Sequence, residues 1–361
     1  MKICWLLLGA LALVGCKVTI NDENSSAQAN TMSPTPAATA HQDRGFVAVA
    51  EAAKSSFDAG PVFAAQVTLD RLGFSSGVID GKEGKNYSAA LEGFQRANDL
   101  PVTGRLDEAT NQALKKQSPD PATRRVRIPA EFARGPFTPD IPEDPSAQAK
   151  LPQLQYRSLV EALAERFHTT PEALTSLNLP GTRIDSGAVI RVPNIPNVDQ
   201  VQLGKDERGW NETLVRLGVA PTQPPITKVV VDKSDGVLRA FTSDDKLIAQ
   251  FPATMGSEHD PLPIGTWKIQ GISRNPDFHY NPDLFWDADA NDRAATLTPG
   301  PNGPVGVVWI DISKPHYGIH GTSEPSTIGR AESHGCIRLT NWDAARLAQM
   351  VKAGIPAIFQ E

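Results

Sequence analysis

The sequence predicts a multidomain chain: a small three-helix domain, then an α/β module, then a mainly-β domain. Three observations carry this reading. At 361 residues the chain exceeds what one ordinary hydrophobic core accommodates. Apolar residues recur at helical spacing before about residue 116, whereas after residue 227 they fall in short runs bounded by Asp-Gly and Asp-Asp turns. Between these textures, prolines at 119, 121, 129, 136, 139, 142 and 145 interrupt any regular element. Hydrophobic residues at 40% and charged residues at 21% are ordinary for a globular protein. A formal net charge of −6 leaves no basic excess to neutralise phosphates, which argues against a nucleic-acid partner.

The N-terminus carries an address. Lys2 precedes the apolar run Ile3 to Leu13, and the segment ends in Leu13-Val14-Gly15-Cys16. A run this short does not span a bilayer as a helix, but suffices for a cleaved secretion signal. The ending resembles the lipobox of bacterial lipoproteins. That resemblance implies a signal peptide over 1–15, cleavage before Cys16 and a lipid on its thiol, which anchors the chain to a membrane. The implied location is the cell envelope, facing the periplasm, with Lys17 favouring the outer membrane. Residues 16–45 are rich in Asn, Ser, Thr, Ala, Gln and Pro and read as a disordered tether.

Residues 46–118 regain periodicity. Phe63, Val67 and Leu69 to Leu72 suit a first helix, which Gly73-Phe74 closes. A turn follows at Gly77 to Gly81. Ala90, Leu91, Phe94, Gln95 and Ala97 suit a second helix, and a third starts at Leu106-Asp107 and ends near Leu114. The Leu-Gly-Phe, Asp-Gly, Phe-Gln and Gly-x-Leu-Asp spacing within residues 66–110 resembles the small peptidoglycan-binding domain of wall enzymes. Residues 119–150 read as an extended Pro-rich linker, with Arg124-Arg125-Val126-Arg127 as a solvated face. In residues 151–198, Leu159, Leu163, Phe167, Leu174 and Leu177 mark two short helices, and Gly187 to Asn194 reads as a closing strand. This order resembles a LysM module, although Arg157-Ser158-Leu159 stands where that family has a Gly-Asp-Thr turn. Residues 199–226 read as a second linker. The tether and linkers are expected to separate anchor, binding module and catalytic domain.

From residue 227 to 361, strands are expected at Lys228–Asp232, Val237–Thr242, Leu247–Ala253, Gly265–Ile272, Val305–Ile312 and Tyr317–Gly321, with a helix from Asp343 to Lys352. The chemistry concentrates in Ile319-His320-Gly321 and Ser333-His334-Gly335-Cys336-Ile337-Arg338. With Cys4 in the signal and Cys16 lipidated, Cys336 is the remaining thiol of three. A secreted chain that keeps one unpaired cysteine invites a catalytic explanation, against the alternative of an inert buried cysteine. A thiol is mostly protonated near neutral pH, so nucleophilic use needs a base beside it, and an imidazole fits that need. Other readings are a zinc site built from His316, His320, His334 and Cys336, and a scaffolding lipoprotein with an inactive fold. Pro315, Tyr317 and Gly318 disfavour the helix on which His316 and His320 would pair for zinc. Asp287-x-Asp289-x-Asn291 mimics the opening of a calcium loop but lacks its Gly and Glu. No metal or cofactor is expected.

The segment, with Pro263 to Trp267 and the loop Pro299 to Gly306, resembles the L,D-transpeptidase catalytic domain. The resemblance implies Cys336 as nucleophile and His320 as general base, oriented by a carbonyl of Gly321. It places Ser333, His334 and Gly335 around an oxyanion site and Arg338 at a substrate carboxylate or bracing the loop. The implied reaction cleaves the diaminopimelate–D-alanine bond of a peptidoglycan tetrapeptide stem, leaving a thioester on Cys336 that an amine resolves. The anchor is testable by itself: Cys16→Ser should move the protein from the membrane fraction to the soluble one. Continued acylated membrane association of that variant would sink the lipobox reading.

Overall fold

Pro61 and Asp107, placed where the helical periodicity begins, set the starts of the first and third helices of the first domain. The computed structural model describes residues 45–50, 58–286, 288, 289 and 291–361. The expected signal peptide, the expected lipidation residue Cys16 and the expected tether up to residue 44 lie outside the described residues. A short strand β1 (Val47–Val49) precedes α1 (Pro61–Arg71), α2 (Lys85–Ala97) and α3 (Glu108–Gln117). Pro61 opens α1 at a position where no intrahelical N–H is needed. Asp107 caps α3 by accepting the Thr110 N–H at 2.9 Å. The buried amide of Gln95 accepts from the N–H groups of Thr103 and Gly104 and donates to Thr110 Oγ1, locking the turn between α2 and α3. Phe74, Tyr87, Leu91, Phe94 and Leu114 fill the space between the helices.

The proline-dense stretch departs from the extended linker that its composition suggests. It holds the strand β2 (Thr123–Arg127) and two helical turns, α4 (Ala130–Arg134) and α5 (Pro145–Gln148). The seven residues between Pro121 and Pro129 all keep their N–H groups, and the five of β2 are long enough to pair. They align with β1 on one side and with β3 (Val189–Pro193) on the other, Val126 facing Ala48 and Ile190. The basic run is therefore a central strand whose Val126 is fully buried. With α6 (Leu159–Arg166) and α7 (Pro171–Ser176) the middle module runs β2-α4-α5-α6-α7-β3, its first strand supplied from the proline-rich stretch.

The second expected linker also contains structure. Trp210, Leu214 and Leu217 recur on one face of α8 (Trp210–Leu217) and enter the core of the last domain. That domain contains β4 (Lys228–Asp232), β5 (Val237–Phe241), β6 (Leu247–Pro252), β7 (Thr254–Met255), β8 (Gly265–Arg274), β9 (Phe278–Tyr280), β10 (Ala295–Leu297), β11 (Val308–Ile312), β12 (Gly318–His320), β13 (Ile337–Arg338), α9 (Asn341–Met350) and β14 (Pro356–Gln360). Nine strands form one sheet in the order β6-β5-β4-β14-β8-β11-β12-β13-β7, and β9 and β10 form a separate hairpin. Thr340 caps α9 by accepting the Asp343 N–H, and Trp342, Leu347 and Ala348 turn the helix inward. Among the described residues no helix is long and apolar enough to cross a membrane.

The first domain is docked on the last rather than held at a distance by a linker. Gln250 N–H donates to Gly73 O and Ser75 N–H donates to Gln250 O, so residues 73–75 extend the edge at β6. A buried ionic knot fixes the same junction. Asp70 at the end of α1 receives both Arg346 Nη1 (3.0 Å) and Nη2 (2.8 Å) from α9. His168 of the middle module lies 3.0 Å from the same carboxylate and hydrogen-bonds Leu217 O at the end of α8. Ser75 Oγ donates to Asp343 at 2.7 Å. Arg346 and His168 hold the Asp70 carboxyl far below the ordinary carboxylate range against the opposing effect of burial. Arg346→Leu should therefore cost about 3–5 kcal/mol in urea unfolding, because it leaves a buried carboxylate without its guanidinium. A loss below about 1 kcal/mol, the size expected of an exposed pair, would show that the knot does not hold the domains.

Candidate active site

The site is assembled by one parallel strand pair. β12 and β13 lie side by side with Ile319 opposite Ile337 and His320 opposite Arg338. The loop 321–335 thus returns the chain so that Cys336, just before β13, opens on the same cavity as His320, the last residue of β12. This cavity has a volume of about 940 Å³ and is also lined by His334, Arg338, Tyr317 and Trp309.

His320 is held from two sides. Its ring stacks on Trp309 at 5.5 Å between centroids and 18° between planes. Its Nδ1 lies 2.7 Å from the carbonyl of Gly321. A carbonyl only accepts, so Nδ1 carries the proton and Nε2 carries the lone pair. Burial, with Arg338 adding to it, pushes the imidazole pKa down to about 4 despite the Gly321 carbonyl. Burial likewise raises the Cys336 thiol, opposed by the Gly318 N–H and the charge of Arg338. Cys336 Sγ lies 3.8 Å from the carbonyl of His316, a non-glycine residue held at φ 68°. The resting pair is a neutral thiol and a neutral imidazole in the tautomer that accepts a proton.

The loop that delivers Cys336 is shaped by its neighbours in sequence. Ser333 Oγ accepts the Gly256 N–H at 2.7 Å and donates to Cys336 O at 2.7 Å. Gly335 stands at φ +88°, and a Cβ there would lie 2.4 Å from the Tyr317 ring. Ser333 and Gly335, expected around an oxyanion site, brace and bend the loop beside Cys336. The hydroxyl of Ser333 is committed to backbone on both sides. His334 lines the cavity, and Phe285 from the β9–β10 hairpin packs edge-on against its ring at 5.0 Å. Arg338 lines it too, with Nη1 3.5 Å from Glu332 O. Gly321 contributes its carbonyl.

Sequence reasoning passed over Trp309 and Tyr317, which border the cavity. Both sit near strand positions whose alternation was legible, but nothing in the sequence said which face the cavity occupies. The calcium-like run also resolves in part: Asp289 accepts the backbone and side-chain N–H groups of Asn291, while Asp287 lies outside the described residues. His320 should show the neutral Nδ1–H tautomer at pH 6 by nitrogen-edited NMR, and imidazolium signals there would refute the buried-base geometry. The sign for stability follows from the lowered pKa. The unfolded chain binds this proton from about pH 6.5, and native His320 refuses it until about 4, so stability falls as the pH drops through that window.

Residues 226–358 match the family described as "L,D-transpeptidase catalytic domain", and residues 59–114 match the family described as "Putative peptidoglycan binding domain". Among relatives, "Putative L,D-transpeptidase YkuD" of Bacillus licheniformis is 29% identical over 204 residues, covering 56% of this chain and 93% of the relative. The protein of the same name from Bacillus subtilis is 54% identical over 54 residues, covering 15% of this chain and 33% of the relative. An L,D-transpeptidase structure from Mycobacterium smegmatis aligns with 66% of this chain and 91% of its own, at 18% identity and a TM-score of 0.31. The chain therefore carries an L,D-transpeptidase catalytic domain over residues 226–358 and a peptidoglycan-binding domain over residues 59–114.

Proposed function

We propose that this chain is a cysteine-dependent L,D-transpeptidase of peptidoglycan, in which Cys336 forms a thioester acyl-enzyme and releases D-alanine. The observation that carries the reading is that Cys336 and His320 open on the same cavity, the imidazole turned by Gly321 so that Nε2 is the proton acceptor. In the first half-reaction the sulfur attacks the carbonyl carbon of the diaminopimelate–D-alanine amide while Nε2 takes the thiol proton. Collapse of the tetrahedral intermediate breaks the C–N bond, and the proton passes from Nε2 to the departing amine. In the second half-reaction an acceptor amine attacks the thioester, Nε2 takes its proton and the Cys336 thiolate leaves. Starting from a neutral pair, proton transfer accompanies attack, so a stored thiolate is unnecessary.

Peptidoglycan is the natural partner of both recognised domains. The helix pair α6 and α7, followed by a strand β3 that pairs with β2, supports a LysM-like reading of the middle module's fold. The lipobox-like ending at Cys16 supports attachment to a membrane through lipid, with the catalytic domain facing the periplasm and the outer membrane as the site of anchorage.

Cys336→Ala should reduce turnover of a disaccharide-tetrapeptide muropeptide to background and abolish the acyl-enzyme mass shift. His320→Ala should lose about 10²–10⁴-fold in kcat, the usual share of a positioned general base. Alkaline pH should partly restore that variant, because hydroxide then supplies the thiolate, and should not restore Cys336→Ala. Mass spectrometry of the products reads both. Full activity of Cys336→Ala would end the thioester mechanism.

A further inference from the structure

Asn341 and Glu165 belong to no expectation drawn from the sequence, yet both are buried behind the catalytic base. Asn341 opens α9, and its amide oxygen is wedged between two glycines. A Cβ on Gly321 would lie 2.2 Å from Asn341 Oδ1, and one on Gly306 would lie 1.9 Å from it. The same oxygen accepts the Val307 N–H at 3.3 Å, and Nδ2 donates to Pro301 O at 3.1 Å. Gly321 in turn donates its N–H to Val305 O and Val308 O, and its carbonyl fixes His320. One side chain thus holds the loop 301–307 against the residue that orients the imidazole.

Asn341 is itself gripped from the middle module. Its Nδ2 donates to both oxygens of Glu165 at 3.1 and 3.2 Å, and Tyr156 Oη donates to Glu165 Oε2 at 3.0 Å. Burial raises the Glu165 carboxyl to about 8, opposed by the hydrogen bonds it accepts from Asn341 and Tyr156. The same face of the module holds the adjoining loop: Leu154 N–H donates to Pro299 O, Asn302 N–H donates to Leu154 O, and Asn302 Nδ2 donates to Gln155 O and Glu161 Oε1.

We propose that Asn341 and Glu165 are positioning residues of the catalytic base, and that the middle module serves the reaction by setting the Gly321 carbonyl on which His320 depends. The inference rests on the reading of His320 as base. Glu165 touches no reacting atom. It acts through Asn341 and Gly321, so its removal should lower kcat without weakening substrate capture.

The test is a double-mutant cycle on the full chain, with kcat, KM and the pH dependence of Cys336 alkylation by iodoacetamide as readouts. Glu165→Leu should lower kcat at least about tenfold while KM stays within about twofold, the pattern of a lost transition-state interaction. Glu165→Gln, which keeps an oxygen acceptor for Asn341, should recover most of that loss. In a His320→Ala background, Glu165→Leu should have no further effect on the residual alkaline turnover or on alkylation, because residues acting as a unit do not add. An equal further loss in that background would overturn the proposal in favour of a general structural role, as would unchanged kcat in a folded Glu165→Leu protein. If Glu165→Leu does not fold, Tyr156→Phe loosens the same carboxyl at its other end and should show a smaller kcat loss with the same absence of effect beside His320→Ala. Full activity of His320→Ala alone would remove the base reading, and the positioning role with it. A normal loss in His320→Ala with additive effects from Glu165 removes only the positioning role.

Discussion

The architecture depends on one buried carboxylate. Asp70 lies at the end of α1 with 1% of its surface exposed, and an isolated charge at that depth would be prohibitively costly. Three elements meet to satisfy it: the Arg346 fork from α9, the His168 ring from the middle module, and through His168 the C-terminal carbonyl of α8. His168 is further clamped by parallel stacking on Trp342 at 5.0 Å. Because each partner comes from a different stretch of chain, the carboxylate sets the relative placement of all three modules. Hydrophobic contact alone would allow neighbouring registers, since apolar surfaces are non-directional, whereas a bidentate guanidinium–carboxylate pair fixes both distance and plane.

That fixed placement changes what the neighbouring modules are for. The middle module packs against the helix and loops behind His320, not at the end of a flexible leash. Its strap at Leu154 comes so close to Gly300 that a Cβ there would lie 2.0 Å from the Leu154 carbonyl. Pro145 and Gln148 of the proline-rich stretch even reach the rim of the catalytic cavity. The prolines suit such a path: they remove backbone donors from a segment that runs over a surface without partners for them.

Much of the candidate site was legible because a thiol and an imidazole announce themselves chemically. A thiol in Ser-His-Gly-Cys with a histidine upstream is a short list of candidates, and strand alternation in residues 228–252 marks a sheet. What stayed hidden depends on contacts between distant segments. Ser333 was singled out by the resemblance, but nothing local told that its hydroxyl also holds Gly256, which lies far away in sequence. Asn341 gives no local signal, since an asparagine at a helix start reads as a cap. The strand at Thr123–Arg127 was masked by prolines on either side, although Val126 alternates with charged neighbours as a paired strand does. The amphipathic face of α8 was readable at four- and three-residue spacing, but it is only eight residues long and lies in a stretch with several prolines nearby.

Docking also limits how separable binding and catalysis are. The edge at β6 is covered by residues 73–75 and by α2, whose Ala89 carbonyl accepts from Gln250 Nε2 at 2.6 Å. A Cβ on Gly93 would lie 2.8 Å from the same Gln250 side chain, so the helix approaches the strand at backbone range. Gln250 also accepts from Arg239 Nε, which pairs with Asp232 on β4. Removing the helical domain would therefore do more than subtract an affinity for the wall. It would open a sheet edge, expose Phe241 and Leu247 where they pack with the helices, and leave Arg346 and Asp343 without Asp70 and Ser75. Arg346 and Asp343 lie on α9, the helix that Asn341 begins. Any loosening at that junction would run along one rigid element towards the residue wedged behind His320. The helical domain and the residue wedged behind His320 are thus joined through one helix.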